Sequence, residues 1–190
     1  MNKFLNNLNR IEFVVTEACT GRCKHCSQGE HDLSGEHIDG DVAVNAIYDI
    51  CKNYKIQSLM TFGGEPLLYP DTVCKIHRAA KEMDIAKRSV ITNGFFSKDK
   101  GRMKEVAGML AESGVCDILL SVDAFHQETI PLEHVKYFAE CVAETSVTIR
   151  VHPAWLVNEE APNPYNIKTR EILREFTQAG ISVSSANVIF

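Results

Sequence analysis

The sequence of 190 residues has no long apolar run, no run of basic residues and no recognisable leader. Its apolar runs are far shorter than the ~20 residues that a membrane-spanning helix needs. The first residues, MNKFLNNLNRIEFVV, lack the apolar stretch and the small-residue cleavage site of a secretory signal. The net charge of −5, without a Lys/Arg-rich run, argues against a broad nucleic-acid surface. We therefore expect a cytoplasmic protein without a membrane segment.

The seven cysteines do not fit a secreted disulfide scaffold. Such scaffolds are shorter, carry a signal peptide and usually pair an even number of cysteines. Reduced thiols are therefore the better interpretation, and three of them lie together in CTGRCKHC, at Cys19, Cys23 and Cys26. The remaining four are far apart in the chain and are expected to be small buried side chains: Cys51, Cys74, Cys116 and Cys141.

The rest of the chain alternates between strand-like and helix-like segments, and no linker or low-complexity segment divides it. Residues 1–190 are therefore expected to form a single α/β domain. Alternation of this kind predicts parallel strands with right-handed crossovers, either in an open doubly wound sheet or in a curved, barrel-like sheet. The expected strands are residues 10–16, 57–62, 88–93, 116–123, 146–152 and 181–190. Asp71 is expected to cap the second helix, and Pro131 to be the first residue of the fourth.

Polar and glycine-containing segments follow the first five predicted strands. In a parallel sheet, chemistry is located at the carboxyl ends of the strands, so these segments should meet at one rim. They are the three-cysteine loop, GGEP at 63–66, TNG at 92–94, SVD at 121–123 and RVHP at 150–153.

The number of clustered cysteines bears directly on function. A structural zinc site needs four protein ligands, and an electron-carrying iron–sulfur cluster commonly has four cysteines. None of the other four cysteines is predicted at the rim, so a cubane cluster held here would leave one iron open to a substrate or cofactor. The alternative is a non-catalytic iron–sulfur or zinc module with a fourth protein ligand, for which His25, His31 and Glu17 are candidates.

CTGRCKHC, with its C-x3-C-x2-C spacing, and GGEP at the end of the second predicted strand resemble the two signature motifs of the radical S-adenosylmethionine (SAM) superfamily. The resemblance covers almost the whole chain and implies a partial parallel (β/α)6 barrel. It implies that Cys19, Cys23 and Cys26 hold a [4Fe–4S] cluster, whose open iron is chelated by the amino and carboxylate groups of SAM. It further implies reductive cleavage of SAM to methionine and a 5'-deoxyadenosyl radical, which abstracts hydrogen from a substrate.

The resemblance also implies which side chains contact SAM. The aromatic-type position at His25 is expected near the adenine, and the GGEP motif at the methionine amino group. Polar residues at the ends of the third, fourth and fifth strands are expected to contact the ribose, the carboxylate or the substrate. The predicted cofactor-binding residues are His25, Gly63, Gly64, Glu65, Pro66, Asn93, Ser121, Asp123 and Arg150. His126 is either an acid or base that reaches the substrate or a solvated loop histidine.

The implied partners are an external electron donor of the flavodoxin or ferredoxin type and a substrate whose class stays open. A peptide or protein side chain, a partner enzyme that receives a glycyl radical, and a small molecule all fit. The sequence ends within its sixth predicted strand, so we expect either a minimal core or a truncated chain.

Overall fold

The computed structural model describes residues 7–26, 28, 29, 33, 35–184 and the backbone of 187–189. The strands are β1 (Arg10–Val14), β2 (Ser58–Phe62), β3 (Lys87–Thr92), β4 (Asp117–Ser121), β5 (Thr148–His152), β6 (Ala154–Leu156), β7 (Ser182–Val183) and β8 (Asn187–Ile189). The helices are α1 (Gly40–Cys51), α2 (Pro70–Glu82), α3 (Lys100–Glu112), α4 (Leu132–Ala143) and α5 (Pro164–Gln178). Short 3-10 turns lie at Pro66–Leu68 and His126–Glu128.

Six strands form an open, entirely parallel sheet in the order β1-β2-β3-β4-β5-β7. Helices α1 to α4 connect successive strands from β1 to β5, as expected for right-handed crossovers. The edges are β1 and β7, and no strand of the described part of the chain joins them. The structure therefore confirms the prediction of a parallel, partial barrel.

Each strand buries alternate residues beneath the helices. In β2 and β4, Leu59, Ile118 and Leu120 are fully buried and belong to apolar clusters that include helical residues. The residues between them, such as Leu119 and Ser121, are half-buried on the opposite, inner face. Because strand side chains alternate between faces, the helices cover one side of the sheet and leave the inner side available for a ligand.

The apolar core consists of two clusters of buried side chains. The larger one joins β3, β4 and β5 to α3, α4 and α5 and contains Phe138 and Phe176. The smaller one joins β1 and β2 to α1 and α2 and contains Ile47 and Ile76. Within the described residues, no helix is both long enough and apolar enough to cross a membrane.

Two of the predicted helix starts are wrong. Helix α2 begins at Pro70, with Tyr69 at the N-cap, so Asp71 lies in the first turn and caps nothing. Helix α4 begins at Leu132, and Pro131 is its N-cap with an extended backbone. In the first case a proline at the first helical position favours an earlier start, because its φ is already helical and it has no N–H to satisfy.

The single sixth strand predicted over 181–190 is also wrong, because this segment forms two short strands. β7 pairs with β5, whereas β8 pairs with β6, a strand that the sequence did not predict. Pro153 separates β5 from β6 and has no backbone N–H to donate, so the ladder is interrupted at this point.

Candidate cofactor-binding site

A cavity lies among the loops at the carboxyl ends of β1 to β4. Its empty space, including the part that is open to solvent at its mouth, is about 520 Å³. The residues that line it are Cys19, Gly21, Cys23, His25, Cys26, Gly63, Gly64, Ile91, Thr92, Asn93, Ser121 and His126.

The cysteine loop that follows β1 is held in place by main-chain and side-chain hydrogen bonds. The guanidinium of Arg22 donates to the carbonyl oxygens of Cys19 (2.9 Å) and Gly21 (2.7 Å). The backbone N–H of Arg22 donates to Thr129 Oγ1 at 3.0 Å, and that of Cys26 to the carbonyl of Cys23 at 3.0 Å. The loop therefore presents all three thiols to the cavity before any ligand binds.

The three thiols are free and influence one another electrostatically. Burial, reinforced by the neighbouring Cys19 and Asp123 and by Cys26, raises the pKa of Cys23 to about 12. Burial also raises the pKa of Cys19, and Cys26 contributes in the same direction. Both thiols are therefore protonated at neutral pH, and a bound metal must displace their protons.

The donor set fits an iron–sulfur cluster with one open iron. Three soft sulfur ligands converge on one cavity, and the other four cysteines of the chain do not line it. Cys74 and Cys141 are buried within helices, as expected, whereas Cys51 at the end of α1 and Cys116 before β4 are only half-buried. Of the proposed fourth protein ligands, His25 lines the cavity, Glu17 is exposed and His31 lies outside the described residues.

Gly63 and Gly64 allow the end of β2 to pack against the base of the cysteine loop. A Cβ on Gly63 would overlap the carbonyl oxygen of Thr16, and Gly63 also has a φ of +147°. A Cβ on Gly64 would overlap the carbonyl of Ala18 and lie 2.6 Å from that of Glu17. The Gly64 N–H donates to Thr16 O at 2.8 Å. Both glycines also line the cavity. The absence of a side chain at these positions therefore lets the cysteine loop pack closely and leaves the backbone accessible to a ligand.

Glu65 lies behind the cavity wall instead of facing into it. It is completely buried, and its Oε1 accepts hydrogen bonds from Leu67 N (2.9 Å) and Thr92 Oγ1 (2.7 Å). Its Oε2 accepts from Asn93 N at 2.7 Å. Burial raises the pKa of Glu65 to about 7, although these hydrogen bonds act in the opposite direction. The carboxylate thus joins the ends of β2 and β3.

Asn93 connects β3 to the first cysteine. Its Nδ2 donates to Thr20 Oγ1 at 3.1 Å and to Cys19 Sγ at 3.5 Å, while its Oδ1 accepts from Phe95 N at 2.8 Å. The side chain is almost fully buried, yet it forms part of the cavity wall. Its position is suited to orienting the Cys19 thiol.

His25 and His126 form one end of the cavity. Their rings meet edge to face with centroids 4.7 Å apart, and the ring of His25 also lies 4.9 Å from that of Phe125. Burial, and next the neighbouring His126, lower the pKa of His25, so its ring is neutral at neutral pH. Its Nδ1 is buried and has no hydrogen-bond partner within the described part of the chain.

Asp123 lies beneath His126 and is fully buried. Its Oδ2 accepts a 2.8 Å hydrogen bond from Nδ1 of His126 and a 2.9 Å bond from Ala154 N. Its Oδ1 accepts from the backbone N–H groups of Phe125 (2.9 Å) and His126 (3.0 Å). Burial alone raises the pKa of Asp123, but the hydrogen bonds that His126 and Ala154 donate to the carboxylate outweigh it and leave that pKa below its usual range.

The structure brings eight of the twelve predicted site residues to the cavity wall. The other four lie elsewhere: Glu65 and Asp123 behind the wall, Pro66 buried at the start of a 3-10 turn, and Arg150 in an ion pair. Nε and Nη2 of Arg150 lie 3.0 and 2.6 Å from the carboxylate of Asp117 on the inner face of the sheet. Sequence reasoning did not single out Gly21, Ile91 and Thr92, although the first belongs to the cysteine motif and the last to TNG.

Comparison with known proteins gives a consistent result. A sequence profile of the Radical SAM superfamily matches residues 13–190. A curated relative, a probable GTP 3',8-cyclase of Methanocaldococcus jannaschii, is 24% identical over 127 residues, which are 67% of this chain and 40% of that protein. The chain thus spans less than half the length of this relative.

Two solved structures share the fold at low sequence identity. One is anSMEcpe with bound AdoMet (S-adenosylmethionine), with a TM-score of 0.68 at 17% identity, covering 96% of this chain and 51% of that one. The same protein has also been solved with a bound peptide. The other is the methyltransferase TsrM of Kitasatospora setae with cobalamin and a [4Fe–4S] cluster, with a TM-score of 0.64 at 14% identity, covering 95% and 36%.

Proposed function

This chain belongs to the radical SAM superfamily, and from that premise we propose that Cys19, Cys23 and Cys26 bind a [4Fe–4S] cluster for the reductive cleavage of SAM. When bound, the cluster supplies the electron that splits SAM into methionine and a 5'-deoxyadenosyl radical, which takes a hydrogen atom from the substrate. An external donor of the flavodoxin or ferredoxin type is the proposed source of that electron.

The observation that carries this proposal is the incomplete set of thiols at the cavity. Three free cysteines line it, and none of the other four cysteines does. Three thiolates can hold a cubane cluster while leaving one iron for an exchangeable ligand. The cavity beside them is lined by glycine backbone and by polar side chains that can contact a ligand.

The proposed work of the protein is to orient SAM and to shelter it from water. Gly63 and Gly64 present backbone at the cavity, and the hydroxyl of Ser121 and the amide of Asn93 offer polar contacts. The neutral ring of His25, which packs against the ring of Phe125, offers a flat surface for the adenine. Glu65 and Asp123 support this wall from behind, a role that differs from the direct contact inferred from the motifs.

We propose a peptide or protein segment as the substrate. The inner face of the sheet lies between two unpaired edges in the described structure, and the inward-facing Val14 on edge strand β1 is 45% exposed. An extended chain can approach along such an open side more readily than through a closed barrel. A nucleotide, by analogy with the curated cyclase, is the competing substrate class.

Anaerobic reconstitution tests the cofactor proposal. We expect about four irons per chain, a cluster spectrum that changes on addition of SAM, and 5'-deoxyadenosine once dithionite is supplied. The Cys23→Ser variant should lose all three properties. The Cys51→Ser variant is the matched control, because Cys51 is half-buried at the end of α1 away from the cavity, and it should retain them.

The same experiment distinguishes the enzyme from a non-catalytic metal module. The module requires a fourth protein ligand, and the unpartnered, buried Nδ1 of His25 makes this residue its best candidate within the described structure. If SAM leaves the spectrum unchanged and His25→Gln lowers the iron content, the chain is a non-catalytic metal module. If His25→Gln retains iron and the response to SAM, the interpretation as a radical SAM enzyme holds.

A further inference from the structure

The carboxylate of Asp123 has no acceptor capacity left. Three backbone N–H groups, those of Phe125, His126 and Ala154, and the imidazole of His126 surround its two oxygens at 2.8–3.0 Å. An ionised carboxylate accepts hydrogen bonds and donates none. The partner atom of the imidazole, Nδ1, must therefore carry the hydrogen.

This hydrogen bond determines the tautomer of His126. A neutral imidazole carries one hydrogen, so a protonated Nδ1 leaves Nε2 with a free lone pair. The ring lines the cavity, and its side chain is 15% exposed. No hydrogen-bond partner of Nε2 is found among the described residues. In the neutral ring, Nε2 is thus an oriented nitrogen with a free lone pair at the cavity, and neither the cysteines nor the proposed SAM contacts use it.

The ionisable groups that face His126 include a carboxylate in direct hydrogen-bonded contact with its ring. His25 meets it edge to face, and burial keeps that ring neutral. The charge of Glu65 acts on it from behind the wall, and Asp123 lies directly beneath. Glu128, in the same 3-10 turn as His126, instead contacts Lys24 and Tyr165 on the surface. An added proton on Nε2 is therefore balanced by the buried carboxylate of Asp123.

We propose that His126 is a catalytic base that accepts a proton from an O–H, N–H or S–H group of the substrate, with Asp123 as the residue that positions it. The inference rests on the proposed function, because it assigns a substrate to this cavity. In the step, the X–H bond breaks, its electron pair stays on X, and a new Nε2–H bond forms. The step needs no oxidant. The substrate must therefore present an exchangeable proton next to the reacting carbon.

A metal ion is the competing use of the same side chains. One ligand atom each from His25, Asp123 and His126 lie within 4.8 Å of one another. Two histidines and a carboxylate form a known metal-binding set. Here, however, each oxygen of Asp123 already accepts two hydrogen bonds, so a cation bound through either oxygen would have to compete with both of them. The geometry favours an oriented base over a metal site.

The tautomer can be measured on the full-length, metal-free chain labelled with ¹⁵N-histidine, independently of SAM chemistry. We expect the NMR signature of a protonated Nδ1 and an unprotonated Nε2 at His126. In Asp123→Asn the amide can donate to Nδ1, and the tautomer ratio should shift toward Nε2–H by about tenfold or more. A protonated Nε2 in the wild-type chain overturns the proposal.

Diethyl pyrocarbonate, which acylates unprotonated imidazole nitrogen, probes whether Nε2 faces the cavity. Tryptic peptide 105–136 contains both His126 and the control His134, which packs against Phe95 outside the cavity. We expect His126 to react, and to react about tenfold more slowly in Asp123→Asn, with His134 unchanged. If Asp123→Asn does not fold, the wild-type chain still decides the question, because a His126 that reacts no faster than His134 contradicts an accessible lone pair on Nε2.

Two results overturn the inference without affecting the proposed function. One is an unreactive His126 in a chain that cleaves SAM. The other is stoichiometric Zn²⁺ binding by a chain in which Cys19, Cys23 and Cys26 are changed to alanine, if His126→Gln abolishes that binding. Such binding would show that these side chains form a metal site. Conversely, the expected tautomer in a chain that does not respond to SAM overturns the proposed function and leaves the oriented base in place.

Discussion

The carboxylate of Glu65, at the end of β2, accepts a hydrogen bond of 2.7 Å from the hydroxyl of Thr92, the last residue of β3. Its second oxygen accepts from the N–H of Asn93, whose side chain donates to the thiol of Cys19. A buried acidic side chain thus connects two strand ends to the first cysteine. These hydrogen bonds fix the relative positions of the two strand ends in the cavity wall.

Replacement of Glu65 by glutamine should weaken both the fold and the site. Every present partner of the carboxylate is a donor, so the new amide NH2 must face one of them and leave it unpaired. An unsatisfied buried donor costs about 1–3 kcal/mol, which should appear as a lower free energy of unfolding in urea. Cluster content after reconstitution should also fall.

The control for this change is Glu112→Gln, at the exposed end of α3. It should alter the free energy of unfolding by less than about 0.5 kcal/mol. If Glu65→Gln is as stable as this control and binds as much iron, the carboxylate does not support the wall.

Gly64→Ala should prevent the correct seating of the cysteine loop. The added Cβ overlaps the carbonyl of Ala18, a backbone atom that cannot rotate away. We expect a loss of about 1–3 kcal/mol, measured by thermal or urea unfolding, and little iron after reconstitution.

A matched glycine is available in α3. A Cβ on Gly108 meets no atom within 4 Å, so Gly108→Ala should stabilise the chain by up to about 1 kcal/mol and leave iron content unchanged. Equal effects of the two substitutions would show that the glycine at 64 is not required for packing.

The parallel sheet and the cysteine site could be predicted because they depend on local patterns. Alternating strand-like and helix-like segments predict a parallel sheet, and such a sheet brings strand ends to one rim. Cys19, Cys23 and Cys26 needed no further information, since they lie in one loop. Gly63, Gly64, Asn93 and Ser121 reach the cavity because each follows or ends a strand, and His25 reaches it because it lies within the cysteine loop.

The hydrogen bonds that bury Glu65 and Asp123 could not be predicted, because their partners come from distant parts of the chain. Thr92 lies 27 residues after Glu65, and Ala154 lies 31 residues after Asp123. Motif spacing identifies a carboxylate near the rim but does not reveal whether tertiary hydrogen bonds have already saturated it. Such bonds decide whether the group binds a ligand or supports the residue that does.

Arg150 illustrates a related limit. Strand alternation correctly places it on the inner face of the sheet, but it does not reveal that Asp117 on the neighbouring strand pairs with it. The two side chains are 39% and 19% exposed, so the pair contributes no more than about 1 kcal/mol to stability.

Substitution of Arg150 tests whether it contacts SAM. Because the ion pair holds its guanidinium away from the cavity lining, Arg150→Gln should retain the SAM-induced change in the cluster spectrum. Asp117→Asn is the matched variant and should behave in the same way. A loss of the SAM response in Arg150→Gln alone would restore the role that the sequence suggested, a contact with the methionine carboxylate.

His77 makes the stability of the fold depend on pH, independently of the site. It is fully buried, its Nε2 lies 3.0 Å from Thr61 Oγ1, and its Nδ1 has no hydrogen-bond partner within the described structure. Burial, aided by the charge of Arg88, lowers its pKa from 6.5 to about 3. The unfolded chain therefore binds a proton between these pH values that the folded chain does not.

Stability should consequently fall as the pH decreases from about 6.5 toward 3, by at most ~5 kcal/mol from this residue. Urea unfolding at a series of pH values measures the slope. In the double variant Thr61→Val, His77→Leu, which removes the titrating ring together with its partner, this part of the slope should disappear. Because carboxylates also contribute to acid unfolding, the informative quantity is the difference between the pH slopes of the wild-type chain and the double variant. Parallel curves of unfolding free energy against pH would show that His77 is not buried in its neutral form.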